Sequence, residues 1–254
     1  MTLPDALESF ETLVPTGRPL VVFLDFDGTL APIVDRPEDA RLAPGMGDVL
    51  ARLVGRMPVA LVSGRDLADL KGRTAIGDLV HAGSHGYAIE GSGLHHEVGA
   101  EFLPDLDRVE AALRASLDEG GGFQVERKRF AVAVHFRRAG PGGEAAAVRA
   151  VADALKDQPR LKATEGKMIR EIRPVLDWHK GSAVRWLLDR WRAERRDAPF
   201  PVFIGDDVTD EDAIRALGQD GLGIMVGDVP FETQAKAKLD DVDAVRAFLE
   251  RLAG

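Results

Sequence analysis

Two clusters of aspartates follow apolar segments in this chain, and their spacing suits metal-assisted chemistry. The first is DFDGT at 25–29, directly after the apolar run 19–24. Residues two apart on an extended backbone point the same way, so the carboxylates of Asp25 and Asp27 can converge on one point. The second cluster is GDD at 205–207, with Asp210 four residues after Asp206, and it follows the apolar run 201–204.

Carboxylates that meet at one point repel one another unless a cation neutralises them. The chain has no cysteine, which excludes thiolate nucleophiles, disulfides and cysteine-bound zinc or iron–sulfur sites. With oxygen ligands only, Mg²⁺ is the natural candidate. Beside such an ion, one carboxylate could attack a phosphoryl group and form an aspartyl-phosphate. A second could protonate the leaving alcohol and then activate water.

Each aspartate cluster also has a purely structural interpretation, because Asp at a strand end is a common turn or helix-cap residue. Two further motifs favour the chemical interpretation. Ser63-Gly64-Arg65 follows another apolar run, where a hydroxyl and backbone N–H groups can bind phosphate oxygens near a helix N-terminus. Lys180, followed by Gly-Ser, opens a predicted helix, and its ammonium can hold a carboxylate and a phosphate together.

The segments around these motifs alternate between strand and helix patterns. Apolar runs at 19–24, 58–62, 201–204 and 222–226 predict buried strands, and the apolar spacing at 44–54, 181–191 and 242–252 predicts helices. The predicted fold class is α/β, a doubly wound, mostly parallel, Rossmann-like sheet, which places ligands at the carboxyl ends of its strands. Between the halves, helical and period-two patterns predict an inserted α+β module. The predicted domains are a core of 1–102 and 175–254 and an insert of 103–174.

Composition limits the possible partners. The chain has 254 residues, of which 45% are hydrophobic and 30% charged, an ordinary globular composition. Its formal net charge of −9 argues against nucleic acid or an anionic membrane as a partner, but not against an anionic small substrate in one cleft. The first residues lack the basic region of a secretory signal, and no apolar stretch could span a bilayer, so we expect a cytoplasmic protein.

Taken together and in this order, the four motifs resemble those of the haloacid-dehalogenase-type phosphatase superfamily. The resemblance implies that Asp25 is the nucleophile and that Asp27 is the general acid and base. It implies a Mg²⁺ site made by carboxylates and one backbone carbonyl: Asp25, Asp27 through its carbonyl, Asp206, Asp207 and Asp210. It also implies a phosphate site: Ser63, Gly64 and Lys180.

The predicted insert lies where the superfamily carries its larger cap domains, which select the substrate. In the period-two segment 130–137, one face is apolar: Phe130, Val132, Val134 and Phe136. The other carries Ala131, Ala133, His135 and Arg137. In the next period-two stretch we expect four residues on one face: Glu165, Lys167, Ile169 and Glu171. Such polar faces suit sugar hydroxyls, but a solvated sheet face with cross-strand ion pairs fits the pattern equally well.

Further segments resemble the trehalose-6-phosphate phosphatases over most of residues 19–230. They are AGSHG at 82–86, VERK at 125–128, HFR at 135–137, GKM at 166–168, EIRP at 171–174 and FIGDDVTDE at 203–211. By this resemblance the substrate-binding residues are Arg65, His85, Lys128, His135, Arg137, Glu165, Lys167 and Glu171. The chain departs from the pattern at Phe136, where a tyrosine is expected, and at His179, where a small or polar residue is more usual.

The sequence therefore predicts a Mg²⁺-dependent phosphatase that hydrolyses trehalose 6-phosphate to trehalose and phosphate. Two alternatives stay open: another sugar phosphate, such as sucrose phosphate, mannosyl-phosphoglycerate or a hexose phosphate, and a non-catalytic sugar-phosphate-binding regulator. We expect a separate trehalose-6-phosphate synthase to supply the substrate, because a glycosyltransferase domain does not fit in this chain. We also expect a monomer.

Overall fold

The structure, a computed structural model, describes residues 3–166, 168–194 and 198–254. Contacts divide the chain into two compact units: the core unit, Met1–His96 with Trp178–Gly254, and the inserted unit, Glu97–Asp177. The strands are β1 Leu20–Leu24, β2 Val59–Val62, β3 Val80–Gly83, β4 Ala88–Gly91, β5 Leu94–Glu97, β6 Gln124–Lys128, β7 Ala131–His135, β8 Leu161–Gly166, β9 Ile169–Pro174, β10 Phe200–Gly205, β11 Leu222–Val226 and β12 Ala237–Leu239. The helices are α1 Phe10–Leu13, α2 Met46–Val54, α3 Leu67–Thr74, α4 Leu103–Ser116, α5 Gly143–Leu155, α6 Lys180–Glu194, α7 Glu211–Ala216 and α8 Val242–Ala253.

The core unit is built on an eight-stranded sheet in the order β12-β11-β10-β1-β2-β3-β4-β5. Each neighbouring pair from β12 to β3 is parallel, and β4 pairs antiparallel with β3. Strands such as β2 and β11 are buried along their whole length, which explains why they read as unbroken apolar runs. The predicted α/β class with a mostly parallel sheet is confirmed.

Helices cover both faces of this sheet because the side chains of β1 alternate between two cores. Val22 and Leu24 belong to a buried cluster that includes Leu50 of α2 and Phe248 of α8. Val21 and Phe23 belong to a second cluster, which is formed with α6 and α7. The sheet is therefore doubly wound, with its strand ends left to carry polar residues.

The inserted unit has an antiparallel four-stranded sheet in the order β6-β7-β9-β8. The predicted apolar face of the segment 130–137 is buried, and Val132 and Val134 pack in a core with Leu113 of α4 and Val151 of α5. Lys128 and Glu171 lie on the opposite face. This unit therefore has one face covered by helices and one polar face.

The prediction that Glu165 and Glu171 share a face is wrong. β8 ends at Gly166 and β9 begins at Ile169, so the alternation restarts between the two strands. In the register, Glu165 stands opposite Arg170, whereas Glu171 stands opposite Thr164. Because residues opposite each other share a face, Glu165 lies on the face that α5 covers. Lys167, which was expected on the same face, lies outside the described residues.

The helices are short. α6 has 15 residues and α4 has 14. In the part of the chain that the structure describes, no helix combines the length and the apolar composition needed to cross a bilayer.

Candidate active site

The carboxyl ends of β1 and β10 bring the two aspartate clusters together. These strands are parallel neighbours, with Leu24 opposite Ile204. Asp25 and Asp206 therefore lie next to each other, just beyond the carboxyl ends of the two strands. One carboxylate oxygen each of Asp25, Asp206 and Asp210 lies within 4.8 Å of the other two. Three acidic oxygen donors at this spacing suit a hard divalent cation.

Gly28 makes room for this cluster. Its φ is +75°, a conformation that favours glycine, and a Cβ atom at this position would lie 2.0 Å from Oδ2 of Asp206. Any larger residue would therefore strain the turn and displace Asp206. The glycine of the DFDGT motif is needed for the geometry of the opposite acidic cluster.

Asp210 and Asp207 have different surroundings. Asp210 is fully buried and accepts hydrogen bonds from the backbone N–H groups of Asp206 and Asp207, at 3.1 and 3.0 Å. Asp207 is exposed, and its side chain accepts a hydrogen bond from the N–H of Val208 at 2.6 Å. Asp207 thus caps the turn that positions Asp210, and its carboxylate lies outside the three-carboxylate cluster.

Lys180 supplies a positive charge inside the site. It is the first residue of α6 and is 3% exposed. Its Nζ lies 2.9 Å from Oδ1 of Asp25 and 2.7 Å from Oδ1 of Asp210. Burial alone would lower the pKa of Lys180, but the attraction of Asp25 and Asp210 outweighs it and raises that pKa. The lysine therefore stays charged and links the two clusters.

Two carboxylates of the cluster, those of Asp25 and Asp206, hold protons more tightly than free aspartates do. Burial raises the pKa of Asp25 to about 8, since the repulsion of Asp210 and Asp206 adds to it and only Lys180 opposes it. Burial and the repulsion of Asp210 raise the pKa of Asp206 to about 6. The negative charge of the cluster exceeds what one ammonium neutralises, and a divalent cation would supply the remainder.

Asp27 is held by Arg65. The guanidinium donates from Nε to Oδ2 of Asp27 at 2.7 Å and from a terminal nitrogen to Oδ1 at 2.6 Å. Both oxygens of the expected acid and base are thus hydrogen bonded to one planar group. The structure does not bring the carboxylate of Asp27 into the three-carboxylate cluster.

Ser63 lies at the end of β2 and is 2% exposed. Its Oγ accepts from the N–H of Arg65 at 3.2 Å, and its carbonyl accepts from the N–H of His85 at 2.8 Å. Ser84 and His85 have φ values of 51° and 57°, in the left-handed region. The His85 ring lies against Gly64, where a Cβ would be 2.9 Å from its Cε1. The structure therefore places His85 beside the predicted phosphate loop.

In the inserted unit, several predicted sugar contacts meet on the polar face. Nζ of Lys128 lies 3.0 Å from Oε1 of Glu171, which also pairs with Arg173. Nε2 of His135 lies 2.8 Å from Oε2 of Glu126. Arg137 is exposed in the turn that follows β7, which ends at His135. Glu165 lies on the other face, 3.3 Å from Arg170.

Known proteins are similar to this chain in both sequence and architecture. A model of the trehalose-phosphatase family matches residues 23–243. The chain belongs to the trehalose-phosphatase family. This membership confirms the resemblance expected from the motifs and the expected enzyme class, a phosphoric monoester hydrolase.

Individual relatives agree with this family. Trehalose-phosphate phosphatase B of Arabidopsis thaliana is 38% identical over 98% of this chain and 71% of its own length. The trehalose-phosphate phosphatase of Mycobacterium marinum is 40% identical over 99% of this chain and 66% of its own length. A crystal structure of a trehalose-6-phosphate phosphatase related protein is 27% identical, with a TM-score of 0.77 over 92% of this chain and 96% of its own.

Sequence reasoning about this member of the trehalose-phosphatase family missed four side chains that lie in ion pairs with predicted site residues or extend those ion pairs. Glu126 and Arg173 stand beside His135 and Glu171, and their positions in the period-two pattern could have placed them on that face. Asp69 and Arg73 follow Arg65 at four-residue steps. That spacing signals contact along a helix, but their connection to Asp27 depends on tertiary structure.

Proposed function

We propose that this chain hydrolyses trehalose 6-phosphate to trehalose and inorganic phosphate, with Mg²⁺ at the acidic cluster and an aspartyl-phosphate on Asp25. The observation that carries the proposal is the buried ammonium of Lys180, in contact with both Asp25 and Asp210. A buried cation beside a potential nucleophile suits a reaction in which a phosphate dianion must approach a carboxylate. The names of the relatives support the sugar.

The donors of the cluster fit Mg²⁺, because Asp25, Asp206 and Asp210 offer only oxygen atoms. Asp207 and the backbone carbonyl of Asp27 are proposed as further donors, the former through water. When bound, Mg²⁺ would neutralise negative charge and polarise the phosphoryl group.

In the first step, a carboxylate oxygen of Asp25 attacks phosphorus in line with the sugar oxygen. The bond from Asp25 to phosphorus forms as the bond from phosphorus to the sugar oxygen breaks, and that oxygen takes the proton of Asp27. Lys180 offsets the repulsion between the Asp25 carboxylate and the phosphate. The hydroxyl of Ser63 and the N–H of Gly64 bind phosphoryl oxygens.

In the second step, Asp27 is a carboxylate and takes a proton from water, whose oxygen attacks phosphorus. The bond between phosphorus and Asp25 then breaks, inorganic phosphate leaves, and Asp27 is protonated for the next cycle. Two steps of this kind return every group of the chain to its starting state, which is what distinguishes an enzyme from a phospho-acceptor.

We propose that the polar sheet face of the inserted unit recognises the sugar, with Lys128, His135 and Glu171 as contacts and Arg137 as a further one. His85, in the core unit, is proposed as a substrate contact beside the phosphate loop. The ion pairs on this face offer donors and acceptors that sugar hydroxyls can replace. Glu171→Ala should lower kcat/KM for trehalose 6-phosphate far more than for a small aryl phosphate. Glu165→Ala removes the same group from the opposite face and is the matched control. Equal effects of the two substitutions would count against this face as the sugar site.

Phosphate release from trehalose 6-phosphate, measured beside a panel of other sugar phosphates with Mg²⁺ and with EDTA, tests the proposal. The expected result is a strong, Mg²⁺-dependent preference for trehalose 6-phosphate, abolished by Asp25→Asn. Preference for another sugar would discard the substrate and keep the chemistry. A single stoichiometric burst of phosphate without turnover would favour the regulator instead.

A separate synthase as the source of substrate, a monomeric state and a cytoplasmic location stay predictions. Co-purification with a trehalose-6-phosphate synthase, light scattering of the purified chain and cell fractionation measure them in turn.

A further inference from the structure

Three charged residues at four-residue steps form a chain of ion pairs that ends on Asp27. Arg65 holds both oxygens of Asp27 and also donates to Oδ2 of Asp69 at 3.0 Å. Asp69 in turn pairs with Arg73. The Nε and a terminal nitrogen of Arg73 each lie 2.8 Å from a carboxylate oxygen of Asp69. The order along the chain is therefore Asp27, Arg65, Asp69, Arg73, with alternating charge.

Backbone carbonyls of the segment 37–40 fix the two guanidinium groups. Arg65 donates to the carbonyl of Pro37 at 2.9 Å, and Arg73 donates to the carbonyls of Glu38 and Ala40. The side chains of both arginines are only 11% exposed. Arg65 also lies over the ring of Phe26, 5.3 Å from its centroid. Such contacts leave the guanidinium of Arg65 little freedom to turn.

The resemblance to known phosphatases suggests that Arg65 binds substrate, but its contacts favour another role. Its four hydrogen bonds to Asp27, Asp69 and Pro37 occupy most of the donors of a guanidinium group. Burial alone would lower the pKa of Arg65, and its bonds to Asp27 and Asp69 outweigh this and raise that pKa. Burial alone would raise the pKa of Asp69, and its bonds to Arg73 and Arg65 lower it. Asp69 therefore stays charged between its two arginines.

We propose that Asp69 is a positioning residue for Asp27 and acts through Arg65, with Arg73 and the segment 37–40 as the fixed end. This inference rests on the proposed function, in which Asp27 gives its proton to the leaving oxygen as the bond from phosphorus to that oxygen breaks. A planar, two-point contact sets the plane of the Asp27 carboxylate. Asp69 sets the plane of the guanidinium and thus the direction from which Asp27 meets the leaving group.

The test uses leaving groups that need an acid to different degrees. A sugar or phenyl leaving group needs a proton as its bond to phosphorus breaks. A dinitrophenolate leaves without one, because it is already stable as an anion. Asp69→Asn keeps the shape of the side chain and presents an amide N–H to one of its two arginines, which turns an attraction into a repulsion. We expect kcat/KM to fall by about 10- to 100-fold for trehalose 6-phosphate and phenyl phosphate and to stay within about threefold of wild type for dinitrophenyl phosphate.

Asp243→Asn is the matched control, because Asp243 also pairs with an arginine on a helix of the core unit, at 3.2 Å from Arg246. It should leave the whole series unchanged. Arg65→Lys keeps the charge, loses the two-point contact and should reproduce the selective loss. An equal fall of Asp69→Asn across all leaving groups would overturn the proposal in favour of a structural role, and so would unchanged rates.

A measurement that does not depend on turnover separates this inference from the proposed function. In the wild type, the Nε–H of Arg65 is bound to Asp27 and should exchange slowly with water in ¹⁵N spectra. Asp69→Asn should speed that exchange by at least about tenfold, since a mobile guanidinium releases Asp27 more often. Unchanged exchange overturns the positioning role whatever the activity. Loss of Mg²⁺-dependent activity in the wild type, with the exchange result as expected, would contradict only the proposed function.

Discussion

Replacing the buried Lys180 tests directly what holds the acidic cluster together. In Lys180→Met the side chain keeps its approximate length and loses its charge, which leaves Asp25 and Asp210 without the ammonium that lies 2.9 and 2.7 Å from them. Because Lys180 is 3% exposed, water cannot take its place. Removing one partner of a buried ion pair costs about 3–5 kcal/mol. We expect the free energy of unfolding in EDTA at pH 8 to fall by that amount.

This loss should depend on pH. Because the pKa of Asp25 is raised to about 8, the folded protein without metal holds a proton at pH values where the unfolded chain has released it. Stability therefore falls as pH rises from the ordinary aspartate pKa towards 8, and it falls more steeply without the ammonium. The difference between wild type and Lys180→Met should be smaller at pH 5, where protons neutralise Asp25 and Asp206. Added Mg²⁺ should also reduce it.

Urea unfolding followed by tryptophan fluorescence measures the effect, because the 3 tryptophans of the chain all belong to the core unit. The matched control is Lys71→Met. Lys71 lies 2.8 Å from Glu90, but these side chains are 41% and 43% exposed, and exposed pairs contribute about 0–1 kcal/mol. Equal losses for the two variants at pH 8 would refute the argument from burial.

Three further outcomes follow from individual positions. Gly28→Ala should lower kcat by more than about tenfold, because its Cβ would overlap Asp206. The control is Gly17→Ala, which has the same φ of +75° but no other atom within 4 Å of the added Cβ. It should lose about 1–2 kcal/mol of stability and keep full activity. Similar kinetics for both would contradict the overlap. Burial lowers the pKa of His81 to about 4, so the stability that its neutral form contributes above the ordinary histidine pKa is lost as pH falls. Between pH 7 and 5, the free energy of unfolding of the wild type, measured in urea, should fall by about 2 kcal/mol more than that of His81→Asn. Parallel curves for the two proteins would show that His81 is not held neutral. Mg²⁺ at ten times its Kd should stabilise the wild type by about 1.4 kcal/mol in thermal unfolding. Asp206→Asn should abolish this gain, and Asp207→Asn should keep most of it. If Asp207→Asn abolished the gain and Asp206→Asn kept it, Asp207 rather than Asp206 would be the metal ligand.

The parts of the site that sequence could predict are those set by strand ends. Asp25 and Asp206 each follow a buried apolar run, and parallel strands of one sheet end at the same edge, so their meeting follows from the fold class. Spacing along one helix or strand is equally readable, as the buried face of Val132 and Val134 illustrates. Short or polar strands escape such reading: β5 is Leu-His-His-Glu and β12 has three residues.

Contacts between distant residues were beyond sequence reasoning. Arg65 and Asp27 are separated by 38 positions, and nothing in either motif states that one will hold the other. The face of Glu165 was missed for a different reason, since the alternation restarts between β8 and β9 and one shifted position reverses every later side chain. The burial of Lys180 likewise depends on how α6 packs, which the residue type alone does not reveal.

The central pairing of β1 with β10 has a consequence for synthesis on the ribosome. Leu24 pairs with Ile204, which is synthesised 180 positions later. At a translation rate of about 5–20 residues per second, this delay lasts roughly 10–40 s. During that time β1 is a strongly apolar strand without one of its two neighbours, and Asp25 has neither Lys180 nor Asp210 beside it. The nascent chain therefore carries an exposed, aggregation-prone segment until β10 has emerged, and we expect chaperone dependence during translation to be traceable to this strand.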